Sequence, residues 1–188
     1  VFCEALVLNQ AAKLGDLDLA TCQLVLTLFG IIAFSLDAFA YAAEALVGEA
    51  IGKRNSTDLQ IVIRRTNSLA AGMALGIAAI LWLGDTVIIR LFTTQAALTA
   101  HAQTHWLWAC LLAPASFMAF QLDGIFVGAT RGQDMRNAMI ISASCLGLAL
   151  ILLEPWGVHG LLAAFVGYLG LRGASLWWHI DRVYAQAG

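Results

Sequence analysis

Charged residues cut the chain into long apolar runs. Eighteen uncharged positions (19–36) lie between Asp18 and Asp37, nineteen (66–84) between Arg65 and Asp85, and thirty-two (91–122) between Arg90 and Asp123. Seventeen (137–153) separate Arg136 from Glu154, and another seventeen (155–171) separate Glu154 from Arg172. A hydrocarbon core of about 30 Å is crossed by roughly 20 helical residues. The pattern therefore predicts five membrane helices, at about 21–48, 67–92, 104–129, 136–153 and 158–180. Residues 1–14 read as the tail of a sixth, truncated helix, because the chain opens on Val1 without a Met or a signal-peptide pattern. The runs are too long and too little alternating for a β-barrel, and lipid demands backbones that satisfy themselves. The expected fold is all-α, a polytopic membrane helix bundle.

Composition agrees and narrows the function. Of 188 residues, 61% are hydrophobic and 12% charged, against about 25% charged in a soluble domain. So little charge cannot cover a soluble globule. A net charge of −2 gives no basic footprint for nucleic acid. The lipid bilayer is the expected partner. Cys3, Cys22, Cys110 and Cys145 lie in apolar contexts without ligand spacing and read as small buried hydrophobes. No catalytic motif is present, so the chain is read as not an enzyme, with no resident cofactor and no metal site.

Basic residues orient the spans. Lys53, Arg54, Arg64, Arg65, Arg131, Arg136 and Arg182 fall on one side, and Lys13 and Arg90 on the other. The positive-inside rule then makes the charged loops and the C-terminus cytoplasmic, in a multi-pass protein of the inner (plasma) membrane. Arg172 is the one basic residue within a span and is expected to snorkel toward the interface. The tryptophans fall mostly near span ends, as an aromatic belt would place them.

Acids inside spans are the sharp chemical feature, since each costs a few kcal/mol in hydrocarbon unless it faces a cavity or a partner. Asp37 and Glu44 are seven residues apart on one helical face, with Tyr41 between them. They stand roughly 10 Å apart along the axis, which suits two stations. Asp123 lies at comparable depth, beside Gln121 and Gly124. Such carboxylates load protons or bind Na⁺ through oxygen, or alternatively hydrogen-bond across helices and fix packing. Glycines recur at spacing four, including Gly48 with Gly52 and Gly124 with Gly128, and are read as helix-packing positions. Pro114 interrupts the third full span and is the candidate hinge. His101 and His105 share a face without a nearby acid or Cys in sequence and are not assigned a metal.

The segment LDAFAYAAEALVGEAIGKRN (residues 36–55) resembles the eighth helix and following loop of the multidrug and toxic compound extrusion (MATE) family, in its DinF-like branch. LDGIFVGATRGQDMRNAM (residues 122–139) resembles the tenth helix and the next turn, in matching order and spacing. The resemblance covers the whole chain as the end of helix seven through helix twelve. It implies the C-terminal lobe of a twelve-helix transporter of two six-helix lobes, so a missing N-terminal lobe is an expected partner. It also implies alternating-access antiport, with H⁺ or Na⁺ as coupling ion and a small organic, often cationic, compound or drug as substrate. On that reading Asp37, Tyr41, Glu44, Gln121 and Asp123 face the cavity. The rival readings are a lipid-linked oligosaccharide flippase of the same superfamily, whose cavity would be more basic, and a non-transporting subunit that packs through its glycine faces.

Overall fold

The computed structural model describes residues 2–186, and Val1, Ala187 and Gly188 lie outside the described residues. Within it the chain is helical with no strand: α1 (Phe2–Leu14), α2 (Asp16–Gly52), α3 (Ser56–Leu83), α4 (Asp85–Phe92), α5 (Ala96–Gly128), α6 (Gly132–Leu152), α7 (Gly157–Trp177) and α8 (Asp181–Tyr184), with a 3-10 turn at Glu154–Trp156 before α7. Five helical stretches are long and apolar enough to cross a membrane. The helices overrun the apolar runs, because charges mark where lipid ends and the backbone continues into polar positions. At 1.5 Å per residue, the 37 residues of α2 reach roughly 55 Å, well beyond a 30 Å core.

One expected span is corrected. Residues 67–92 are not a single helix: α3 starts at Ser56 and ends at Leu83, and α4 begins at Asp85. Gly84 has weak helix propensity. Gly84 is also the N-cap of α4, its carbonyl accepting from Ile88 N at 2.8 Å, while the Asp85 carboxylate binds the N–H and hydroxyl of its neighbour Thr86. The Asn55 side chain caps α3, accepting from Asp58 N at 3.1 Å.

Helix α5 is the axle. It packs against α2, α7 and α3, and 56% of its most apolar stretch is buried, against 22% in α3 and in α6. The latter two present most of their surface outward. Cys145, on α6, is accordingly exposed rather than buried. Trp106 also departs from the belt reading: it is buried, and its indole N–H donates to the Leu81 carbonyl at 2.8 Å, tying α5 to the end of α3. Two similar turns close one end of the bundle. After α2, Arg54 N–H reaches Ile51 O and Asn55 N–H reaches Ala50 O; after α5, Thr130 reaches Val127 and Arg131 reaches Phe126. Arg54 and Thr130 occupy the left-handed position of these caps, at φ 51° and 55°.

Candidate functional site: an acidic groove at the crossing of two helices

The site is positioned by a close backbone approach. A Cβ on Gly124 would overlap the Ala40 carbonyl, and one on Gly128 would overlap the Glu44 carbonyl. Gly48 faces the same seam, where an added Cβ would lie in ordinary contact with the Gly128 oxygen at 3.5 Å. Small residues thus bring α5 onto α2 at the turns that carry Asp37 and Glu44. Gly52 is corrected: at the last residue of α2 its Cβ would meet open space, because the chain is already turning into the loop. Gly160, which the spacing did not single out, is a further tight position against the Leu153 carbonyl.

The crossing opens a groove of about 170 Å³ lined by Asp37, Tyr41, Glu44, Asp123 and Arg172, with Phe120 and Val127 as its apolar wall. Four of the five expected cavity residues therefore meet in one place. Tyr41 stands at the rim, 68% exposed. Gln121 does not line the groove: it is 1% exposed and turned into the bundle, with both amide atoms unpaired among the described residues. Two residues along a helix turn the side chain by about 200°, so Gln121 and Asp123 face nearly opposite ways.

Arg172, on α7, does not snorkel. Its Nη2 donates to Asp123 Oδ2 across forty-nine residues of sequence, and both side chains are largely shielded. A salt bridge at this depth offsets the cost of two isolated charges. Asp123 Oδ1 is buried and has no donor among the described residues. Asp37 and Glu44 make no hydrogen bond among the described residues, and Asp37 senses Arg172 only through space. Three carboxylates face one guanidinium, so the groove is a net anionic place that favours a cation.

A second cavity adjoins it. About 260 Å³ is lined by Phe29, Phe120, Phe165 and Tyr168, with Glu4 of α1 and again Arg172. The rings interlock: Phe29 meets Phe165 edge-on at 5.1 Å, and Phe165 stacks on Tyr168 at 6.0 Å. Phe120 and Arg172 border both spaces. Sequence reasoning missed this aromatic chamber, because its walls come from four helices and no local pattern marks them. Pro114 lies nine residues before Asp123 on α5, which remains one helix through it.

Elsewhere, two clusters are built by long-range contacts. Asp134 is buried and accepts from Arg131 Nε at 2.6 Å and from Arg182 Nη1 at 2.5 Å, which fixes the α5–α6 turn against α8. At the opposite end, an acid does reach the histidines. Asp18 Oδ1 lies 2.6 Å from His101 Nε2, the His101 and His105 rings are 4.8 Å apart, and those of His105 and His159 are 4.2 Å apart. No group of three His, Cys, Asp or Glu side chains among the described residues could hold a metal ion.

Comparison with known proteins agrees with this architecture. The family model of MatE matches residues 1–156. DNA damage-inducible protein F of Escherichia coli is 35% identical over 93% of this chain, which corresponds to 38% of that protein. Two Arabidopsis thaliana proteins, DETOXIFICATION 44 (chloroplastic) and DETOXIFICATION 42, are 23% and 24% identical over 93% and 95% of the chain, and over 34% and 35% of their own lengths. The chain thus spans little more than a third of these relatives. With a family match over most of its residues, a relative more than one-third identical and a bundle of membrane-length helices, the chain belongs to the MATE family, in its DinF-like branch.

Proposed function

We propose that this chain is the C-terminal lobe of a secondary antiporter that exports small organic compounds, often cations, in exchange for protons. The observation that carries this reading is the state of Asp123. One oxygen is held by Arg172, and the other is buried without a donor among the described residues, inside a groove shared with Asp37 and Glu44. Such a carboxylate has two competing ways to settle its charge besides the guanidinium: a proton on Oδ1, or a cationic guest. Protonation weakens the pair with Arg172 and lowers the negative charge of the groove, which disfavours a bound cation. Loss of the proton restores both. The two lobes would respond as alternative arrangements biased by that pairing. Aromatic walls beside Arg172 supply the apolar surface that a flat organic guest needs. Na⁺ is the alternative coupling ion, through the same carboxylate oxygens.

In this reading the protein sits in the inner membrane with the Lys53–Arg65 region, the Arg131–Arg136 turn and the C-terminus in the cytoplasm. The remaining lobe completes the cavity that Tyr41 faces. The groove's excess of acid argues against a lipid-linked oligosaccharide as cargo, since that anionic ligand calls for excess cation.

The test is efflux of ethidium by the protein at its native length. Asp123→Asn is expected to slow proton-driven efflux at least about fivefold, the lower end of ordinary coupling free energies, with normal membrane insertion. Unchanged efflux would remove Asp123 from coupling.

A further inference from the structure

We infer that the outward face of α3 at Arg64 and Arg65 is a binding site for an anionic phospholipid. The phosphate sits on the two guanidiniums and an acyl chain runs along the helix toward its far end. This inference rests on the bilayer setting alone and is independent of the transport reading.

Three observations converge. The first is charge without a partner. At this end of the bundle Lys53 pairs with Glu49, Arg131 and Arg182 share Asp134, and Arg136 donates to Asn137, while Arg54, the single arginine of the α2–α3 loop, has no side-chain acceptor among the described residues. The side chains of Arg64 and Arg65 have no acceptor among the described residues, although they are neighbours and line one depression of about 540 Å³ with Ile61, Ser68 and Leu69. The Ser68 hydroxyl donates to the Arg64 carbonyl at 2.9 Å, so it is committed to the helix and the guanidiniums are the free donors. Two like charges side by side are relieved by an anion between them, and a guanidinium matches a phosphate in geometry as well as in charge.

The second is depth. From Arg65 to Leu83 the helix rises about 27 Å, close to the roughly 30 Å of a hydrocarbon core, and no residue between Arg65 and Asp85 is charged. Arg64 and Arg65 therefore stand where that core gives way to headgroups.

The third is the track that leads away from them. Leu69, Met73 and Ile80 follow Arg65 along α3 and are 62%, 39% and 65% exposed. Gly72 and Gly76 lie among them, and a Cβ on either would meet no atom within 4 Å. The result is an apolar strip with a shallow channel, suited to a chain of methylenes.

The experiment is native mass spectrometry of the native-length protein in detergent, titrated separately with dioleoyl phosphatidylglycerol and dioleoyl phosphatidylcholine. The wild type should retain the anionic lipid about thirtyfold better, the preference expected of two basic residues at the surface. Arg64→Gln with Arg65→Gln should abolish most of that preference. Lys53→Gln with Arg136→Gln removes the same charge from the same end and should preserve it. Leu69→Glu is a second route that leaves both arginines in place: an exposed carboxylate one turn from Arg65 should occupy it and erase the preference. Equal retention of the two lipids by the wild type would overturn the inference, and would mean that another part of the polypeptide occupies these arginines. Equal losses in the two double variants would overturn it as well, by reducing the effect to overall charge. Full retention in Leu69→Glu would do the same.

Discussion

The α2–α5 seam and the outer flank of α3 use the same residue type for opposite purposes. Both carry glycines four apart: Gly124 and Gly128 on α5, and Gly72 and Gly76 on α3. On the seam a Cβ would strike the backbone of α2, whereas on the flank it would meet nothing. The seam glycines set how closely two helices approach, and so the width of the acidic groove between them. The flank glycines leave a furrow on a surface turned away from the bundle. Spacing in the sequence is therefore a poor guide to packing until the partner backbone is known. Charge follows the same division. Near the seam, acids outnumber the one guanidinium that pairs with them; on the flank, two guanidiniums share a depression that no acid lines among the described residues.

This contrast breaks most easily at Gly124. Gly124→Val forces a branched side chain into the Ala40 carbonyl and should cost about 3 kcal/mol or more, seen as a large fall in the unfolding temperature of the purified protein. If Gly124→Val unfolds like wild type, the seam is looser than described. A smaller loss is expected where the closing turn is tied down. Asp134→Ala leaves Arg131 and Arg182 without their shared acceptor and should cost about 1–2 kcal/mol, with the exposed Arg182 contributing least.

On the flank the sign reverses. Gly76→Ala adds a methyl group to open space and removes backbone freedom, so it should raise stability by about 0.5–1 kcal/mol. A destabilisation there would show that another surface packs on α3. The smallest effect belongs to Lys53. Glu49, 2.5 Å away, holds its ammonium above the usual lysine range. Any stabilisation is complete below the ordinary lysine pKa and fades as pH rises through the raised value. The pair is fully exposed, so Lys53→Gln should leave the unfolding temperature unchanged near neutral pH.

Much of the architecture was legible in the chain because lipid leaves few options. The number of spans follows from where charges interrupt apolar runs, and Asp37, Tyr41 and Glu44 share a helical face by arithmetic. The break at Gly84 was not legible from charge, since Asp85 reads equally well as the outer end of a span. The break falls at Gly84, which is the C-cap of α3 and the N-cap of α4 at φ −107° and ψ 16°. Arg172 was misread for a related reason. A basic residue late in a span snorkels unless an acid waits at its own depth, and that acid, Asp123, is forty-nine residues away. Gln121 was drawn into the cavity by its place two residues before Asp123, a spacing that a helix turns to nearly opposite faces.

The central claim is that Asp123 is the protonatable station of this lobe. The most direct measurement is proton release on adding ethidium to native-length protein in weakly buffered detergent solution, comparing the wild type with Asp123→Asn. The account predicts that the wild type releases protons as the dye binds and that the variant releases markedly fewer. Equal release by the two proteins would contradict it and place the exchanged proton elsewhere.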